Sequence, residues 1–132
     1  MMVPLILFPD VEAHLVTYLQ SQLDERTEAY TSDVHVDIDE PSPRPARAVV
    51  VRRVGGFRLD HVRELARIGV NVWAATDADA TDLVNMVRAL ITASPDGRPI
   101  VKAVEQSTND VPDVQPHRYL VVDLTVRGTA AP

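Results

Sequence analysis

The chain has 132 residues, 45% of them apolar, and a mean hydropathy of −0.04, which fits one ordinary globular domain. It has no cysteine, so disulfides, cysteine-ligated zinc and thiol nucleophiles are excluded. A net charge of −6 argues against a general nucleic-acid binder, and no apolar run reaches the ~20 residues of a membrane span.

The opening run 3–9 is apolar, but prolines cut it and no basic flank precedes it. It therefore makes a poor secretory signal, and a protein of the cytoplasm, or of an assembly built there, is expected. Asp10 is placed to cap a first helix, with Glu12 suited to its positive end. Val11, Leu15, Tyr18, Leu19 and Leu23 share one helical face, and the pattern fades at 24–27. Val34, Val36 and Ile38 alternate with His35, Asp37 and Asp39, as in a half-buried strand. Three prolines make 40–46 an extended surface loop.

Residues 47–54 are β-branched and end at Gly55-Gly56, which reads as a strand closed by a tight turn or a bulge. Residues 59–66 fit either a two-turn helix or a wide hairpin connection. Residues 68–75 alternate as a strand. Thr76 or Asp77 then starts a second helix, whose face is Ala80, Leu83, Val84, Val87, Leu90 and Ile91. Ser94-Pro95-Asp96-Gly97 ends it. Residues 99–106 read as a strand, 107–117 as a long polar loop, and 119–127 as a last strand. Residues 128–132 read as a flexible tail of a single domain spanning 1–132. The fold class expected is α+β: a mixed, mainly antiparallel sheet of four to five strands with two helices on one face.

The search for chemistry returns little. Asp33, His35, Asp37 and Asp39 alternate along one strand, about 6–7 Å apart from one to the next. That spacing is too wide for a first shell without a second element, so a solvated acidic face is the simpler reading. A small metal-dependent enzyme using that face is the competing one. No Gly-x-Ser-x-Gly elbow, phosphate loop or dinucleotide turn occurs. No catalytic residue, metal site or cofactor is assigned, and the chain is read as a non-enzyme. Trp73, the only tryptophan, alternates away from Ile68, Val70 and Val72. It is either buried core or an interface anchor.

The basic strand Ala48-Val-Val-Val-Arg-Arg-Val-Gly-Gly56, then Val70-Asn-Val-Trp-Ala-Ala-Thr76 feeding the helix Ala80-Thr-Asp-Leu-Val-Asn-Met-Val-Arg-Ala-Leu-Ile91, make a recognisable series. With the capped first helix, the Pro-rich loop and two closing strands, it resembles the tail-terminator proteins of long non-contractile-tailed actinobacterial phages over residues 5–127. The resemblance implies a virion subunit at the tail–neck junction that forms a hexameric ring. Such a ring caps the tail tube, ends its polymerisation and meets the head-closure or stopper protein. The implied partners are other copies of the chain, the major tail tube protein and the head-closure protein, with the tape-measure protein a further candidate. The resemblance further implies that genome DNA passes through the channel without specific binding and that no membrane is involved. Another neck protein, such as the stopper subunit itself, is the neighbouring alternative.

A ring needs a heterologous contact. Residues 1–40 hold nine acids and one base, whereas 41–75 hold seven bases and two acids. Charge thus nominates Arg47, Arg52, Arg53 and Arg58, with Trp73, against Glu12, Asp24, Glu28 and Asp33 of the next copy. The loops contribute partner-contact candidates Pro41, Pro43, Arg44, Asp110, Asp113 and His117. Both loops are expected to be ordered by neighbouring molecules, and the channel lining is expected to be acidic.

Overall fold

The valine-rich run Ala48–Val51 and the alternating run from Ile68 to Trp73 pair as expected, but as parts of longer strands. The computed structural model describes residues 3–132. Its elements are β1 (Ile6–Leu7), α1 (Val11–Asp24), a 3-10 turn (Ala29–Thr31), β2 (His35–Asp37), β3 (Ala48–Arg58), β4 (Arg63–Trp73), α2 (Asp77–Thr92), β5 (Ile100–Val111), β6 (His117–Arg127) and β7 (Thr129–Ala130). The main sheet has the order β2-β3-β4-β6-β5. β2 runs parallel to β3, and every other pair in it is antiparallel. The fold is α+β, with both helices on one face.

Both helices form where apolar spacing and a cap coincide. The Asp10 carboxylate accepts the Ala13 N–H at 3.1 Å, and the Thr76 hydroxyl accepts the Asp79 N–H at 3.1 Å. α1 buries Val11, Leu15, Leu19 and Leu23, while α2 buries Ala80, Leu83, Val84, Val87 and Ile91. These rows close on Val49, Val51, Ile68, Val70, Val72, Leu120, Val122 and Leu124 of the sheet. The Tyr18 hydroxyl donates to the Leu90 carbonyl at 2.6 Å and ties the helices together.

One open reading is decided and three stretches differ from expectation. Residues 59–66 take the hairpin reading and not the helical one: β3 and β4 continue to Arg58 and from Arg63, leaving a hairpin tip between them. The Asp60 carboxylate makes that tip by accepting the N–H groups of Val62 and Arg63 at 3.0 and 2.8 Å. Gly55-Gly56 does not end the strand but forms a bulge inside β3, where the register shifts between Arg53 and Gly55. Gly56 has φ +135, and a Cβ there would lie 2.2 Å from the Leu65 carbonyl oxygen. Both facts require glycine.

The supposed loop 107–117 is mostly strand. β5 runs on to Val111, paired through Asn109↔Tyr119 and Val111↔His117. It is a polar edge strand, held by the β6 ladder and not by an apolar stripe of its own. The residues after β6 are not loose either. Thr129 and Ala130 pair with Leu7 and Ile6, and the Ala131 N–H donates to the Leu5 carbonyl at 2.8 Å.

Candidate functional site

Trp73 lies on the sheet face opposite the helices, in a small cluster with Ala48 and Val50. It is only 4% exposed, because loops 40–46 and 112–116 cover it. His117 stacks on one side of the indole with ring centroids 4.3 Å apart, and the Arg44 guanidinium sits 4.4 Å from the ring centroid. The indole N–H donates to Asp113 Oδ2 at 3.0 Å. Arg44 reaches Glu40 at 2.8 Å, and the Gln115 amide donates to the carbonyls of Pro45 and Ala46. The Pro-rich loop, with Pro41 half-buried and Pro43 exposed, is therefore tied down by its own chain. Neighbouring molecules are not needed to order it.

The electrostatics of this shelf follow from the same contacts. The indole N–H is the largest influence holding the Asp113 carboxyl down at about 2. Burial is the largest influence on His117 and lowers its pKa, against the opposing pull of Asp113. His117 Nε2 lies 2.7 Å from Asn71 Oδ1. Its Nδ1 is 3.2 Å from Asp113 Oδ2 but off the hydrogen-bond direction, so it is buried without a partner.

The arginines nominated for intersubunit contact have, for the most part, partners within the chain. Arg47 bridges Asp79 at 3.0 Å and the Ser32 carbonyl at 2.9 Å. Arg52 reaches Asp39 at 3.2 Å and Glu12 at 3.8 Å. Arg53 grips Glu64 at 2.9 Å while its N–H donates to Glu12 at 2.8 Å. Arg58 has no carboxylate partner; it lies 4.8 Å from the centroid of Phe8 and donates to the His61 carbonyl. Among the nominated acids, Glu28 pairs with Arg26, whereas Asp24 and Asp33 are exposed with no cation beside them. Asp110 pairs with Arg118 at 2.9 Å. His35 and Asp37 approach to 3.4 Å. No group of three or more potential metal ligands occurs among the described residues.

Charge spacing in the sequence does not single out the hairpin tip. Phe57, Leu59 and Val62 are exposed there, Phe57 by 61%. The chain ends join them. His61 Nε2 lies 2.9 Å from the Pro4 carbonyl, and the Gly128 N–H donates to the Val62 carbonyl at 2.8 Å. This brings in the exposed Leu5 and Leu7. Beside them a hollow lined by Leu7, Phe8, His14, Arg98 and Arg127 opens to solvent. The signal available in the sequence was composition alone: two large apolar residues, Phe57 and Leu59, flank Arg58.

No family model matches the chain, and no curated protein matches it. Among solved structures it is similar to a chain in the virion of a native gene transfer agent particle. The likeness has a TM-score of 0.59 at 14% identity, over 86% of this chain and 98% of that one. It shows a shared fold.

Proposed function

We propose that this chain is a structural virion protein of phage type, and within that class a tail terminator. The observation that carries the reading is the fold shared with almost the whole of a virion chain. The resemblance of the segments 48–56 and 70–91 to tail terminators narrows it. The chain acts as a hexameric ring that caps the tail tube at the tail–neck junction, contacts the tube and head-closure proteins, and lets DNA pass. It works by contact and performs no catalysis. The open apolar tip supports this, because a subunit of an assembly leaves apolar surface for neighbours to cover.

The test is to delete the gene and image the particles. Tail tubes of uncontrolled length without joined heads, restored to normal by the wild-type chain in trans, are expected. Tails of normal length, joined normally to heads, would rule the terminator role out.

A further inference from the structure

Both free edges of the sheet are blunted. β5 is broken by register shifts between Ile100 and Lys102 and between Glu105 and Ser107. On β3 the Arg53 N–H is already taken by the Glu12 carboxylate. Strand-to-strand addition is thereby disfavoured, so a contact at the ends of the strands has to be made by side chains.

These ends differ in charge. Four cations have no carboxylate within ion-pair distance among the described residues: Arg58, Arg98, Lys102 and Arg127. Arg58, Arg98 and Arg127 converge on Phe8 and Leu7 at the hairpin tip. Lys102 stands opposite Thr125, two residues before Arg127. The opposite end lies one strand length away, about 35 Å for 11 residues. There Arg47 joins Ser32 to Asp79 and so sets the segment after α1 beside the N-terminus of α2. Asp24 and Asp33 line one hollow there, with the Arg26–Glu28 pair, and Asp82 lies in the second turn of α2; all three are exposed and without an ion-pair partner.

We propose that the apolar, cationic tip docks on the acidic end of a second copy of this chain. Phe57, Leu59 and Leu5 supply the apolar contact, and Arg58 and Arg98 face the carboxylates. The occupant is a copy of this chain because the same molecule carries the complementary charge at its far end. The contact is heterologous, so it repeats from copy to copy and closes wherever the rotation permits. Its role as the contact between ring neighbours rests on the terminator reading; the self-contact itself does not.

The test is a charge swap followed by sedimentation velocity at about 0.05 M and about 0.5 M salt, where screening differs strongly. The wild-type chain should self-associate with rising concentration, and less at high salt. Arg58→Glu with Arg98→Glu should weaken association about tenfold or more, as should Asp24→Arg with Asp82→Arg. The chain carrying all four changes should recover it. Thermal melting identifies any variant that fails to fold. The pair Phe57→Ser and Leu59→Ser, which leaves charge untouched, should also weaken association. A wild-type chain that stays monomeric at low salt overturns the proposal. So does a four-fold variant that folds but does not recover, since the tip would then serve a different partner. Deletion of the gene separates the two readings. Tails can lose length control while the swap fails, and the swap can succeed while tails stay normal.

Discussion

The two ends of the sheet treat their apolar residues in opposite ways. At one end Trp73 is roofed by two loops of its own chain, with its N–H bonded and His117 and Arg44 packed against the ring. At the other, Phe57 and Leu59 stand bare on a hairpin, beside arginines that have no acid to face. An apolar side chain exposed to water is not itself unstable, but a contiguous group at the tip of a rigid arm is the usual mark of a contact surface. The Trp73 shelf is closed by loops of its own chain; the apolar group at the hairpin tip is left open.

The sharpest way to break this contrast is to truncate each end in turn. Trp73→Ala should cost about 3–5 kcal/mol of stability, because it empties a buried site, and it also leaves the Asp113 carboxylate without its donor. Chemical denaturation measures this; a loss below about 1 kcal/mol would mean the loops do not depend on the indole.

The bulge that carries the arm comes next. Gly56→Ala should destabilise by about 1–3 kcal/mol, since its backbone is in a region that L side chains avoid and its Cβ would strike the Leu65 carbonyl. Gly55→Ala meets nothing within 4 Å, so it should stay within about 0.5 kcal/mol. Equal effects at the two glycines would remove the bulge from the account.

Both helices are legible in the sequence because a cap and a 3.6-residue apolar period coincide at each, Asp10 with Leu15 and Leu19, Thr76 with Leu83 and Val87. The central strands are legible because one face is buried and the other is not. The arm is legible only as one of two open readings, helix or hairpin. Leu59, Val62, Leu65 and Ala66 satisfy a helical period by coincidence, while the deciding element is the Asp60 turn, a single side chain binding two backbone N–H groups. The second half of β5 is illegible for a different reason: its partner strand holds it, and an exposed edge needs no apolar alternation. Charge in the sequence nominated Arg47, Arg52 and Arg53, but sequence distance hides that Asp79, Asp39 and Glu64 lie beside them in space. Only Arg58 of that set is left over.

Mild acidification probes the Trp73 end through His117. Burial lowers the pKa of His117 below its ordinary 6.5, so the folded chain favours the neutral ring and the unfolded chain takes the proton more readily. Stability should be unaffected by His117 above that value and fall as pH drops below it. Urea midpoints at about pH 7.5 and pH 5.5 should therefore differ more for wild type than for His117→Gln, which does not titrate. An identical difference in both chains would contradict this. Asp113, held down to about 2 chiefly by the Trp73 N–H, contributes stability above its ordinary 3.8 that is lost as pH falls towards 2.

The smallest effect on stability is expected at the tip. Phe57→Ser and Leu59→Ser should each change the unfolding free energy by no more than about 0.5 kcal/mol, since the side chains are already in water. A loss as large as that at Trp73 would show that the tip is structural in the single chain.

The most direct measurement is hydrogen exchange on the free chain and on the chain within assembled particles. The account predicts strong new protection at 54–62 and at 3–7 on assembly, while 40–46 and 112–116, already closed by their own chain, change little. Protection confined to the two loops, with the tip exchanging as fast in the particle as in solution, would contradict it.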